Sequence, residues 1–359
     1  AVQRSGGRRI ALGSVRLARY VDVGDVPRAA TPELVEVRRR QDVVGRRDQI
    51  VDLGIGVAKG GKRRETWHDD RMSRSRAATA TIDDVEDWTQ GIDTLLCDLD
   101  GVVWLAHQPI AGSVEAVAEL RRSGRRVIFV TNNSAATSAQ HEQALADVGI
   151  AAHGDVVSSA MAVTALVAPG ERVLVAAGPG VVEALHKAGA DVVVNSGEPL
   201  TEAVDAVVVG LHREFDYDRL AVAAEAARRC ARLIGTNTDS TYPTPDGLLP
   251  GGGSILAAVV VASGVDPVIA GKPHQPLATL VESMLAERHD AFDPARVLMV
   301  GDRPETDGRF AALLGCRFAL VRSGVNSAEV EIDEATTVDL DVADLAEVAR
   351  QLVRSGRLG

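Results

Sequence analysis

Residues 94–101 read Thr94-Leu95-Leu96-Cys97-Asp98-Leu99-Asp100-Gly101. The run Thr94–Leu99 has no polar alternation, which predicts a strand buried on both faces in a parallel sheet covered by helices. Two carboxylates at i and i+2 of an extended segment point to the same side. At the end of a buried strand they are costly unless something uses them. Open parallel sheets bind ligands beyond the carboxyl ends of their strands. Gly101 then lets the chain turn sharply away. Taken alone, Asp-x-Asp-Gly is also compatible with a calcium loop or a plain turn.

The same texture continues to the C-terminus. Further strands are expected at 126–131, 172–177, 191–195, 205–210, 232–236, 268–271, 296–301 and 318–321. Helical periodicity falls between them, at 113–122, 138–148, 158–166, 180–188, 217–230, 254–262, 275–287, 306–314 and 342–353. The alternation predicts an α/β fold with a parallel sheet. No repeat of solenoid spacing is present.

Three more strand ends carry chemistry. Val130-Thr131-Asn132-Asn133-Ser134 offers a hydroxyl and backbone N–H groups near a helix start, an arrangement that suits an anion. A routine capped strand-to-helix turn uses the same residues. Gly271-Lys272-Pro273 places a lysine after an apolar run, in a chain where only Lys59, Lys62, Lys187 and Lys272 are lysines. A compact ammonium there can face a phosphate. Lys187 instead fits a helix C-terminus, where a cation is favoured. Gly301-Asp302-Arg303-Pro304-Glu305-Thr306-Asp307 brings an acid to another strand end and a second acid near a helix start.

In chain order these segments supply Asp/Asp, Thr/Asn, Lys and Asp/Asp. The set resembles the haloacid dehalogenase superfamily of phosphohydrolases, and within it class IIA, the phosphoglycolate and p-nitrophenyl phosphatase type. Asp98 to Trp104, Val130 to Ser134, Gly235-Thr236-Asn237-Thr238-Asp239 leading to Pro243 and Gly247, Gly271 to Pro273, and Gly301 to Asp307 carry the resemblance. It covers roughly Asp93 to Ser327. Gly308 departs from the pattern, which has an apolar residue there to open the last helix.

The resemblance implies a Rossmann-like parallel-sheet core with an inserted α/β cap. It also implies roles. Asp98 attacks phosphorus and forms an aspartyl-phosphate. Asp100 protonates the leaving alcohol and then activates water. Mg²⁺ binds Asp98, the Asp100 carbonyl and Asp302. Thr131, Asn132, Asn133 and Lys272 hold the phosphoryl group. Asp307 orients Lys272 or a metal-bound water. Independently, several carboxylates at one site repel one another unless a cation joins them. The expected substrate is a small phosphorylated metabolite such as phosphoglycolate, glycerol phosphate or a sugar phosphate. A phosphotransferase or mutase would use the same motifs. A non-catalytic phosphoacceptor module also gathers Asp, Thr and Lys, although the i+2 acid and the large insertion argue against it.

Thr131 and Lys272 stand 141 positions apart, far more than the dozen or so residues of a minimal crossover. The expected division is a core of 91–168 and 251–359 with a cap at 169–250. Gly178-Pro179-Gly180 lacks the full dinucleotide-binding pattern and reads as a turn. Asn237 and Asp239 border the substrate or form a hinge. His274 reads as structural or exposed, and Trp104 as packing. Caps of this class often pair, but no homodimer interface is legible.

Residues 1–80 hold 18 Lys and Arg against 10 Asp and Glu, leaving 21 against 40 for the remainder. The expectation for 1–90 is a basic leader, disordered or outside the native coding sequence, with Met72 as a normal start. The acidic body argues against nucleic acid as its ligand. No run approaches the roughly 18 apolar residues of a membrane span. No apolar signal-peptide core follows the Arg-rich start. Cys97, Cys230 and Cys316 are odd in number and widely spaced, as expected for reduced thiols in the cytoplasm.

Overall fold

The computed structural model describes Thr89 and residues 91–355, apart from 230–231, 287–291, 325–331 and 333–335. The rest of the expected leader, and Cys230, lie outside the described residues. The strands are β1 (Thr94–Cys97), β2 (Trp104–Leu105), β3 (Gln108–Pro109), β4 (Arg126–Thr131), β5 (Val156–Ser158), β6 (Arg172–Ala176), β7 (Asp191–Val194), β8 (Ala206–Val209), β9 (Arg232–Gly235), β10 (Thr241–Thr244), β11 (Gly247–Pro250), β12 (Pro267–Ile269), β13 (Val297–Gly301), β14 (Arg317–Val321) and β15 (Leu340–Val342). The α-helices are α1 (Ser113–Arg122), α2 (Ser138–Asp147), α3 (Ser159–Ala162), α4 (Pro179–Lys187), α5 (Tyr217–Arg229), α6 (Gly252–Ser263), α7 (Gln275–Ala286), α8 (Arg309–Leu314) and α9 (Leu345–Ser355).

Six strands form one sheet in the order β15-β14-β13-β1-β4-β5, every pair parallel. In chain order this is the doubly wound 3-2-1-4-5-6 arrangement, whose ligand crevice opens where the winding reverses. That point lies between β1 and β13, where Cys97 sits opposite Val300. Asp98 follows β1 directly and Asp302 follows β13.

Five strands form a second parallel sheet, β12-β9-β8-β6-β7. This is the inserted cap, and it extends further than the sequence reading placed it. Strand β12 pairs with β9, so α6 and β12 belong to the cap sheet, and the return to the core falls after Ile269 rather than at residue 250. Lys272 therefore arrives from the second sheet, and only three of the four motif segments stand at strand ends of the first. A three-residue apolar strand carries no mark of which sheet it will join.

Alternation along the strands sorts the core into layers. Leu95 and Cys97 pack with α1 and α9 on one face of the first sheet. Leu96 faces the other way and joins Ile128 and Val130 in a cluster shared with Val173, Val175 and Val208 of the cap sheet. Residues of α3, α4 and α7 fill the space between the sheets. The outer face of the cap sheet is covered by α5 and α6. Core and cap thus share one continuous apolar interior.

Local chemistry sets several boundaries. Helix α2 starts with a capping box: Thr137 Oγ1 accepts from Gln140 N at 3.2 Å, and Gln140 Oε1 accepts from Thr137 N at 2.9 Å. The helix expected over 158–166 is α3 followed by a 3-10 turn at Val163–Leu166. The C-terminal helix starts at Leu345 instead of 342, because Leu340–Val342 pairs with β14 as an edge strand. Cys97 and Cys316 are free thiols, and burial pushes Cys316 up to about 12. Among the described residues no helix is long and apolar enough to cross a membrane.

The Gly178-Pro179-Gly180 turn opens α4 with Pro179 at its first position. It is also a cap–core contact: Gly180 N donates to Ala135 O at 3.1 Å. A β-carbon at Gly180 would lie 2.1 Å from the Ala136 carbonyl oxygen. Gly180→Ala is therefore expected to cost about 1–3 kcal/mol, read as a lowered urea midpoint with an unchanged m-value.

Candidate active site

The site is built around a buried ammonium. Lys272 is 2% exposed, and its Nζ donates to Asp98 Oδ1 at 2.7 Å, Asp307 Oδ1 at 2.7 Å and the Val130 carbonyl at 2.8 Å. Burial disfavours the ammonium, but Asp307 and Asp98 together outweigh it and hold Lys272 above its ordinary range. Asp98 is held well above the usual carboxylate range, first by burial, with Lys272 opposing and Asp307 and Asp302 adding repulsion.

Asp98, Asp302 and Asp307 are all buried, and each offers a carboxylate oxygen within 4.8 Å of the others. Three carboxylates against one ammonium leave excess negative charge in a site of oxygen donors, which fits a hard divalent cation. Two glycines make this crowding possible. Gly101 has φ +95°, and a β-carbon there would meet Asp302 Oδ2 at 2.5 Å. A β-carbon on Gly301 would lie 2.2 Å from Asp307 Cγ.

Asp307 reaches back because the chain after β13 runs through a wide π-helical turn, Pro304–Gly308. Such turns recur at functional sites. Asp307 Oδ2 accepts from Arg303 N at 3.1 Å, so both its oxygens are engaged. The helix expected from Thr306 is this turn followed by α8. Gly308 is closely packed: a β-carbon there would sit 2.4 Å from Thr336 Cγ2, so a larger residue would require Thr336 to shift.

Asp100 stands outside the carboxylate triad. Its Oδ1 accepts from Trp104 Nε1 at 3.1 Å. Burial pushes it up to about 6, against His107 and the Trp104 hydrogen bond, which pull it down. Trp104 packs in the core, as the sequence led us to expect, and it also touches this carboxylate.

The Thr131 segment supplies one hydroxyl and a brace. Thr131 Oγ1 accepts from Asn133 N at 3.0 Å, which leaves its O–H free to donate. The Asn133 side chain is engaged locally, accepting from Ala135 N at 3.0 Å. The Asn132 side chain is fully committed. Its Oδ1 accepts from Lys272 N at 2.9 Å, and its Nδ2 donates to Lys272 O at 3.2 Å and Asp239 Oδ2 at 3.0 Å. The Asn132 carbonyl accepts from Asn237 Nδ2 at 2.7 Å. Asn132 thus ties Lys272 to the segment returning from the cap.

A cavity of about 50 Å³ opens over these groups, with Asp98, Asp100, Thr131 and Lys272 on the core side and Leu211, Asp239, Thr241 and Tyr242 on the cap side. Arg303 also lines it and donates from Nη2 to the Thr241 carbonyl at 2.8 Å. Sequence reasoning assigned Arg303 no part, although it lies inside the Asp302–Asp307 segment. His274 is exposed and does not line the cavity. Lys187 pairs with Glu183 at 2.6 Å on a helix surface.

Fold and site together define a hydrolase of the type that gathers acids and a lysine at the edge of a doubly wound sheet. Comparison with known proteins makes this specific. Residues 95–191 match the haloacid dehalogenase-like hydrolase family, and residues 269–348 match a HAD-hydrolase-like family. The D-glycerol 3-phosphate phosphatase of Mycobacterium tuberculosis is 39% identical over 241 residues, 66% of this chain and 64% of that one. The chain thus spans just under two thirds of that relative. The acid sugar phosphatase of Staphylococcus aureus is 33% identical over 261 residues, 72% of this chain and 96% of that one. A crystal structure of glycerol phosphate phosphatase from M. tuberculosis in complex with magnesium has a TM-score of 0.64 at 34% identity, covering 74% of this chain and 77% of that one. The chain belongs to the haloacid dehalogenase-like hydrolases, in their class IIA phosphatase branch.

Lys272→Met removes the cation from two buried carboxylates. It is expected to cost about 3–5 kcal/mol, measured by urea unfolding in the absence of divalent metal.

Proposed function

We propose that the chain is a Mg²⁺-dependent phosphatase of small phosphorylated metabolites that works through an aspartyl-phosphate on Asp98. The observation that carries this reading is the contrast between two neighbouring acids. Asp98 lies in the Lys272–Asp307 cluster at the reversal point of the sheet, while Asp100 faces the same cavity in separate surroundings. This contrast supports reading Asp98 as the nucleophile and Asp100 as the proton donor.

The carboxylates of Asp98 and Asp302 would hold Mg²⁺ together with the Asp100 carbonyl. When bound, the ion supplies positive charge that keeps Asp98 ionised and neutralises phosphoryl oxygens. An Asp98 oxygen attacks phosphorus as the bond to the leaving oxygen breaks, and Asp100 gives that oxygen its proton. Water then attacks phosphorus as its bond to the Asp98 oxygen breaks, freeing the Asp98 carboxylate and inorganic phosphate, and Asp100 takes a proton from that water and is restored. Thr131 donates its free O–H to a phosphoryl oxygen, and Lys272 neutralises the transferred charge. Asn132 acts through its grip on Lys272 and not by touching phosphate with its side chain. The cap excludes bulk water and limits the leaving group to a small one.

Glycerol phosphate and sugar phosphates lead the substrate classes, on the names of the relatives. Phosphoglycolate remains within the chemistry of the site.

Inorganic phosphate release from glycerol 3-phosphate, sugar phosphates, phosphoglycolate and p-nitrophenyl phosphate tests the reading. Turnover should require Mg²⁺, cease with EDTA and be lost in Asp98→Asn. Turnover surviving Asp98→Asn overturns the assignment, and isomerisation of a sugar phosphate without phosphate release favours a mutase. Asp100→Asn should lower kcat on glycerol 3-phosphate by about 10²–10⁴-fold.

A further inference from the structure

We infer that Trp104 is a positioning residue for proton donation. Its indole N–H holds Asp100 Oδ1 and so fixes the orientation of the carboxyl that serves the leaving group. The inference rests on the role proposed above for Asp100.

Trp104 is 1% exposed, the largest fully buried side chain among the described residues. A buried indole needs a partner for its single donor, and here that partner is Asp100 Oδ1 at 3.1 Å. The bond fixes the rotation of a carboxyl that lines the cavity, engaging one of its oxygens through the indole.

The surrounding chain holds the indole still. Gly101 N donates to Trp104 O at 2.8 Å, and the amides of Val102, Val103 and Trp104 converge on the Leu99 carbonyl at 3.3, 2.9 and 3.1 Å. Beyond Trp104 the β2–β3 hairpin turns through Ala106 and His107, at φ 46° and 69°. Tight hairpins usually place glycine or asparagine at such positive φ, and here neither residue is one of them. The turn brings the His107 ring edge-on to the indole, with centroids 4.9 Å apart and planes at 79°. The indole is therefore fixed by the core on one side and by His107 on the other.

A core filler and a positioning residue differ in one readout. Loss of proton donation slows departure of an alkoxide, but nitrophenolate leaves without a proton. In the full-length chain with Mg²⁺, Trp104→Phe should lower kcat on glycerol 3-phosphate about tenfold, as expected for loss of one hydrogen bond to a charged or reacting group. On p-nitrophenyl phosphate the rate of the nitrophenolate burst, which reports formation of the acyl phosphate before Asp100 acts on water, should change by under about twofold, with KM little altered for either substrate. In the Asp100→Asn background, Trp104→Phe should change kcat no further. His107→Ala, at an exposed position that does not threaten folding, should show the same selectivity at about two- to threefold. Equal losses in kcat on glycerol 3-phosphate and in the burst rate on p-nitrophenyl phosphate in either variant, or no loss on glycerol 3-phosphate in both, overturn the proposal. Failure of the phosphatase reading would show separately, as turnover surviving in Asp98→Asn.

Discussion

The architecture of the site depends on the ammonium of Lys272 being buried and fully coordinated. Its three hydrogens meet three acceptors from separate parts of the chain: Asp98 after β1, Val130 in β4 and Asp307 in the π-helical turn. An ammonium that had lost any of these would be a buried charge with an unmatched donor, which is costly. The interaction therefore fixes the relative positions of three segments that lie 35 to 174 residues from Lys272 in sequence. Asn132 completes it by holding both the amide and the carbonyl of the same lysine. Because Asn132 also holds Asp239, the core motif and the cap linker are set by one side chain.

Two acids separated by a single leucine acquire different chemistry from their surroundings. Burial raises both. Asp98 is offset by a shared ammonium and crowded by Asp307 and Asp302. Asp100 is offset by His107 and the indole N–H. Different neighbours of this kind let chemically identical side chains take different roles, as proposed above for Asp98 and Asp100. The i, i+2 spacing puts both on one side of the chain. The tight coil after Leu99, which needs Gly101 at positive φ, then separates their neighbours.

Much of this was legible in sequence because it rests on local pattern. Strand β4 and helix α1 match their expected limits, since apolar runs and helical periodicity mark them directly. The acids, Thr131 and Lys272 stood out because polar groups at the ends of buried strands are costly. What was not legible depends on pairing at long range. β12 looks like any short strand, and only its hydrogen bonds to β9 place it in the cap. The edge strands β5 and β15 are three residues each, too short to show a period. Arg303 was given no part, and Asn132 was given phosphate rather than Lys272 as its partner, because Thr241 and Lys272 lie 62 and 140 positions away. Gly308 read as a weak helix start, because Thr336 and Phe318, which pack closely against it, are distant in sequence.

The saturation of Lys272 also constrains how this site engages a phosphate. With all three hydrogens committed, the ammonium can donate to a phosphoryl oxygen only by giving up an existing acceptor. Val130 is a strand carbonyl and cannot leave. Asp307 is held from its other oxygen by the Arg303 amide. Asp98 is the acceptor that changes during the proposed reaction: as one of its oxygens bonds to phosphorus, the residue loses its negative charge and with it much of its hold on the ammonium. The hydrogen released is then available to the phosphoryl group arriving at the same place. Lys272 thus keeps three partners throughout, and the charge it neutralises moves from carboxylate to phosphate without the lysine moving. A longer-reaching or planar cation would not fit this exchange, because the guanidinium fork of arginine spreads its donors over a plane. This gives a physical reason for a lysine at position 272 in a chain that otherwise relies on arginine.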